Sequence, residues 1–236
     1  MSTLKFNKAK HAYRLDGKPM TGVTTVLGII AKPALINWAA NMAVDYVKEN
    51  SAGGGLLDYL VSEKVLEEAR TAHTRAKEKA GDKGTDIHAL VEEYIKKSIS
   101  ENDGRAIGDI PTQEPMLEEF IRWAVNNKVQ FLESEKRVYS EKWWVAGTAD
   151  FTCKINDQRF VGDLKTQKTM WDRTPFFQTA GYMKMLVEMG EEPYDGTIIV
   201  NINKEDNKLT EYKSYDWEAD IKSFESALQL YRTIKI

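Results

Sequence analysis

The sequence predicts an α+β or α/β domain with a mixed central sheet flanked by helices and an N-terminal helical portion. Two observations carry that expectation. The hydrophobic period changes from helical to alternating after about residue 130, and the elements then run through three strands, a helix, two strands and a helix. A third observation bounds it: 236 residues, against roughly 150 per domain, make one large domain or one domain with an appended lobe.

Taken in order, residues 13–19 carry an Asp16-Gly17 turn signal and predict a small hairpin. Residues 24–50 read as helix. Gly53-Gly54-Gly55 is a flexible break, and 56–80, dense in Glu, Lys, Arg and Ala, has helix-forming composition. A second break is expected at Gly81. Thr85 then caps a helix over 86–98, whose face Ile87, Leu90, Val91, Tyr94 and Ile95 repeats at helical spacing. A loop rich in Gly and Asp spans 101–111, and 115–127 is a further helix. Strands follow over 131–140, 143–155 and 159–165, with Asn156-Asp157 turning the last hairpin. A helix over 176–189, a β-branched strand over 196–202, a short partner over 209–213 and a helix over 217–234 close the order. Residues 1–81 thus form the hairpin and helical region and 82–236 the core, within one compact unit.

Composition narrows the function classes. With 42% hydrophobic and 29% charged residues, 15 Gly and 6 Pro, the chain is neither disordered nor collagen-like. Its longest nearly apolar run, 24–40, is interrupted by Lys32, Pro33 and Asn37 and falls short of the ~20 apolar residues a membrane-spanning helix needs. The N-terminus is charged throughout, unlike a secretory signal, so a cytoplasmic location and no membrane partner are expected. The single cysteine, Cys153, excludes an internal disulfide and an iron–sulfur cluster, leaving any metal to His and carboxylates. A net charge of -3 does not advertise nucleic-acid binding, yet 154–184 holds six Lys/Arg against three Asp/Glu, while 185–236 holds six against eleven.

Four short segments carry chemistry: Gly84-Thr85-Asp86-Ile87-His88, Gly147-Thr148-Ala149-Asp150, Gly162-Asp163-Leu164-Lys165-Thr166 and Gln178-Thr179-Ala180-Gly181-Tyr182. Alone, His88 reads as a structural or surface histidine, and Glu92, one turn on, as a solvated helix charge. Asp150 lies in an otherwise apolar or small-residue strand, where a carboxylate is costly unless paired or metal-bound; the plainer reading is an edge-strand charge or hairpin cap. Asp163 and Lys165, two apart in a strand, share a face, as an ordinary exposed ion pair also would. Two converging carboxylates, a histidine and a lysine are the set that metal-assisted phosphodiester hydrolysis uses.

The ordered set GTDIH, GTAD, GDLKT and QTAGY resembles the active-site pattern of the PD-(D/E)XK nuclease superfamily, in the branch of RecB-type and mitochondrial genome maintenance exonucleases. The match spans Gly84 to Tyr182, and the segment 21–27 with Pro33-Ala34-Leu35 is similar to phage-encoded members. The resemblance implies a restriction-endonuclease-like core in which His88, Asp150, Asp163 and the Leu164 carbonyl bind Mg²⁺ or Mn²⁺. Lys165 would orient or polarise water, and Gln178 and Tyr182 would shape the site and hold DNA. Glu135 and Glu92 would support it, although a solvated charge is the plainer reading of each.

The activity so implied is a metal-dependent DNA exonuclease acting on single-stranded DNA or single-stranded ends in replication, recombination or repair, leaving a 5′-phosphate and a 3′-hydroxyl. The four-cysteine iron–sulfur clasp of some relatives is absent, and no Walker-type loop is present, so a motor or another replication or recombination protein would be a separate partner. Thr166, Lys168 and Arg173, with Lys154 and Arg159, are expected to line a basic channel. Trp143, Trp144 or Trp171 would stack on unpaired bases. Arg70, Arg75, Lys77 and Lys79 lie in a helical arch before Gly81 that would cover the strand. A structure-specific or nicking endonuclease, and a silent DNA-binding subunit on the same fold, are the alternatives.

Overall fold

In the computed structural model, Asp16 and Gly17 take φ of 48° and 82°, the left-handed pair a two-residue hairpin turn requires. They join β2 (Ala12–Leu15) to β3 (Lys18–Gly22), and β1 (Leu4–Asn7) adds an antiparallel edge. The structure describes residues 2–30, 33–51 and 62–234, apart from the side chains of 33–34 and 77–85. The Gly53-Gly54-Gly55 break and the side chains of Lys77 and Lys79 lie outside the described residues.

The helix expected over 24–50 is two helices, α1 (Val23–Leu27) and α2 (Pro33–Asn50). Gly28 ends the first, and Pro33, lacking an N–H, suits the first turn of the second. α3 (Glu63–Arg70) begins at Ser62, whose side chain accepts from the Val65 N–H. The expected break at Gly81 and cap at Thr85 are corrected: α4 runs unbroken from Ala72 to Glu101. The interruption falls at Thr71, between α3 and α4.

Two compact units result, one of residues 1–30 with 87–236, the other of 31–86. Within the smaller, the Tyr46 hydroxyl donates to Glu68 at 2.5 Å and Arg75 lies over the Tyr46 ring. In the larger, α5 (Pro115–Asn126) precedes β4 (Gln130–Ser140), β5 (Val145–Ile155) and β6 (Gln158–Lys165). Then come α6 (Thr174–Glu188), β7 (Gly196–Ile202), β8 (Leu209–Ser214) and α7 (Trp217–Ile234).

The sheet runs β1-β2-β3-β5-β6-β7-β8, with β4 on β5. It is mixed: β3–β5 and β6–β7 are parallel and the other pairs antiparallel. Helices cover it on both faces. Ile87, Val91, Tyr94 and Ile95 of α4 join α5 over Phe151, Phe160 and Leu164, whereas α1, α6 and α7 pack over Val145, Ala149 and Val161. The protein is therefore an α+β fold with a helix-flanked mixed sheet and an N-terminal helical region. Among the described residues no helix is long and apolar enough to cross a membrane.

Candidate active site

The site forms where β5 and β6 stop pairing. Asn156 and Asp157, both at positive φ, turn the hairpin, and the antiparallel register runs from Ile155↔Gln158 to Phe151↔Gly162. One step further would set Asp150 beside Asp163. There Leu164 N–H donates to Asp150 Oδ2 at 2.8 Å, while β6 continues beside β7 to Lys165↔Asn201. The pleat puts Leu164 into the core under α4 and α5 and turns Asp163 and Lys165 to the opposite face, toward α6.

Each expected site residue has a defined place. Lys165 Nζ stands 2.5 Å from Asp163 Oδ2, and Gln178 Nε2 donates to Asp163 Oδ1 at 3.2 Å and to the Tyr182 hydroxyl at 3.0 Å. His88, entering from α4, has Nε2 2.9 Å from the Leu164 carbonyl and 3.8 Å from Asp150 Oδ2. A carbonyl only accepts, so in this arrangement Nε2 carries the proton. His88, Asp150, Asp163, the Leu164 carbonyl, Lys165 and Gln178 are thus brought together by four elements, α4, β5, β6 and α6.

Burial sets the electrostatics. Asp163 is 1% exposed, and its carboxyl is pushed up to about 6 by burial, with Lys165 opposing and Asp150 reinforcing that rise. Asp150 is also raised, again by burial first. Burial alone would lower Lys165, but Asp163 and Asp150 outweigh it and hold the ammonium charged. One cation and two carboxylates share a space closed to bulk water on the Asp163 side.

The other residues divide. Glu92 pairs with Lys96 on α4. Glu135 is exposed, at φ 50°, and stands opposite Asp150 in the register set by Ser134↔Phe151 and Lys136↔Ala149. Tyr182, expected to help hold DNA, is 2% exposed and packs in the core, so it acts by positioning Gln178. Lys168 pairs with Glu205 at 2.8 Å, Arg173 is held by Asp220 and Ser214, and Thr166 is half-buried. Trp143 is core, Trp144 donates to the Pro19 carbonyl, and Trp171 is 83% exposed.

The sequence reading missed what Gly147 does. A Cβ there would lie 2.3 Å from the Tyr182 ring, so GTAD needs its glycine to admit the tyrosine that supports Gln178. In GDLKT, Gly162 likewise lies under the Phe151 ring, 2.1 Å from where its Cβ would be. Both close approaches could have been suspected only from the glycines' place inside strands.

Among the described residues no three His, Cys, Asp or Glu side chains gather as a metal site. The donors on offer are one imidazole, two carboxylates and one main-chain carbonyl. Ligands at ~2.1 Å and right angles stand about 3 Å apart; the 2.9 Å between His88 Nε2 and the Leu164 oxygen is of that size, and Nε2 would have to give up the proton it donates here to serve as a ligand.

No protein-family model matches the chain. No curated protein matches it either. A solved structure described as the crystal structure of SSO0001 is similar at a TM-score of 0.35 and 13% identity, covering 88% of this chain and 84% of that one, a likeness that carries no argument about function.

Proposed function

We propose that the chain is a divalent-metal-dependent deoxyribonuclease of PD-(D/E)XK type, with a restriction-endonuclease-like core, that digests single-stranded DNA from its ends. The observation that carries the reading is the convergence of Asp150, Asp163 and Lys165 where β5 and β6 part, with His88 set against the Leu164 carbonyl. In an isolated exposed Asp/Lys pair the carboxylate would not be 1% exposed, nor tied to a glutamine from another element.

His88, Asp150, Asp163 and the Leu164 carbonyl would hold Mg²⁺ or Mn²⁺, which when bound polarises the phosphoryl oxygens and acidifies water. The rest of the chemistry belongs to side chains. Lys165 Nζ, charged and a donor only, orients the attacking water through its oxygen and steadies charge building on the phosphate. Gln178 fixes the Asp163 carboxylate by its Oδ1, and Tyr182 fixes Gln178. Attack at phosphorus breaks the bond to the 3′ oxygen and leaves a 5′-phosphate and a 3′-hydroxyl.

The test is digestion of end-labelled linear strands and covalently closed single-stranded circles, with Mg²⁺, with Mn²⁺ and with chelator. Loss of linear strands alone, abolished by chelation, is expected. Circles cut as fast as linear DNA would replace the exonuclease by an endonuclease. Binding without hydrolysis under every condition would leave a silent subunit of replication or recombination.

A further inference from the structure

A cleft of about 530 Å³ opens beside the site, and its lining is that of a phosphate track. Of its nine lining residues only Phe6 is apolar, unlike the predominantly apolar pockets that take small molecules. Four are cations, Lys8, Lys96, Lys136 and Arg137, against two carboxylates, Glu92 and Glu135. Lys96 is taken by Glu92, and Lys136 by Glu133 and Glu191. Lys8 and Arg137 make no ion pair with any described residue; Arg137 lies over the Phe6 ring, 5.9 Å from its centroid.

The cleft is continuous with the candidate site. Glu92 is one helical turn beyond His88, Thr148 lies two residues before Asp150, and Glu135 stands opposite Asp150. Arg137 pairs with Thr148, two residues along β4 from Glu135, which places it about 7 Å from the Asp150 register. That is one phosphate step along an extended strand. Of the cations first expected to line a channel, Arg159, Lys168 and Arg173 are engaged by carboxylates.

We infer that this cleft between β4 and the N-terminal strands is where the single-stranded DNA substrate lies, with Arg137 and Lys8 contacting successive phosphates next to the one in the site. The inference rests on the nuclease reading for its substrate, but its test does not need cleavage.

Binding of a fluorescein-labelled oligothymidylate to the full-length protein is measured in chelator across a salt series. Arg137→Ala and Lys8→Ala should each weaken binding and lower the slope of log K against log salt by about 0.7, the contribution of one phosphate contact on a single strand. Arg137→Lys should keep most of the slope, and Lys222→Ala, exposed on α7, should change neither quantity. Both replaced side chains lie at the surface of the cleft, and unchanged thermal midpoints would show that the variants fold. Wild-type affinity and slope in both variants overturn the assignment, as does failure of the wild type to bind. Normal binding losses in a protein that hydrolyses nothing would instead retire the nuclease reading and leave the track standing.

Discussion

Asp163 should make the metal-free protein lose stability as pH rises, against the usual acid-denaturation slope. Its carboxyl is pushed up to about 6 from a usual value near 3.8 because burial penalises the anion more than Lys165 restores it. Between those values the native state holds a proton that the unfolded chain has released, so stability falls with pH. The contribution is complete below about 3.8 and is lost as pH rises through about 6. Two pKa units at 1.36 kcal/mol each make about 3 kcal/mol. Asp163→Asn cannot ionise and keeps an oxygen for Gln178, so it should abolish that component, together with the part of the Asp150 and Lys165 shifts that comes from the Asp163 charge. Urea unfolding in chelator, stepped from pH 4 to pH 7.5, measures it as the difference between wild type and variant. A divalent ion should return stability above pH 6 to the wild type alone, by about 2.7 kcal/mol at a hundredfold excess over Kd. Parallel pH curves for the two proteins would refute the placement of a strained carboxylate at this site.

Lys165→Ala should slow single-turnover cleavage by roughly a hundredfold or more at saturating metal, since on the proposed reading it removes a charge that would face the reacting phosphate. His88→Ala should weaken metal binding, read by calorimetric titration, while DNA binding in chelator stays near wild type. Trp171→Ala should leave denaturant unfolding unchanged, because the side chain is 83% exposed, and should leave single-strand affinity near wild type, because Trp171 does not line the cleft beside Asp150. Gly147→Ala should cost about 1–3 kcal/mol in denaturant unfolding by driving a methyl into the Tyr182 ring, and should depress activity through the displaced Gln178.

What the sequence made legible was local. Asp16-Gly17 and Asn156-Asp157 are turn signals because their backbone needs positive φ, and the apolar face of α4 is legible by its period. Asp163 and Lys165 share a face because a strand alternates. The failures have equally physical causes. Gly81 and Gly84 cost a helix about 1 kcal/mol each, too little to break a 30-residue helix rich in strong formers. β1 offers only Leu4 and Phe6 as alternating apolar positions, too few to announce a strand without its partner β2. The roles of Gly147 and Tyr182 depend on a contact between a strand and a helix far apart in the chain, which no local pattern encodes.

Charge is the sharpest case, because the linear count takes no account of which cations the fold pairs. The segment 154–184 is basic and 185–236 is acidic, and the fold sets one against the other. Arg159 meets Glu191 and Glu192, Lys168 meets Glu205, and Arg173 grips Asp220, which is 1% exposed and also accepts from the Ser214 hydroxyl. Buried on one partner and bidentate, the Arg173 pair ties the start of α6 to α7, and breaking it would strand Asp220 without its cation. A cation so held has little left for phosphate. Lys8 and Arg137, which lie outside that basic segment, make no ion pair with a described residue, and they line the cleft that opens beside Asp150. The charge a surface offers to any ligand is therefore set by which cations the fold leaves unpaired, and that quantity exists only after the chain has folded.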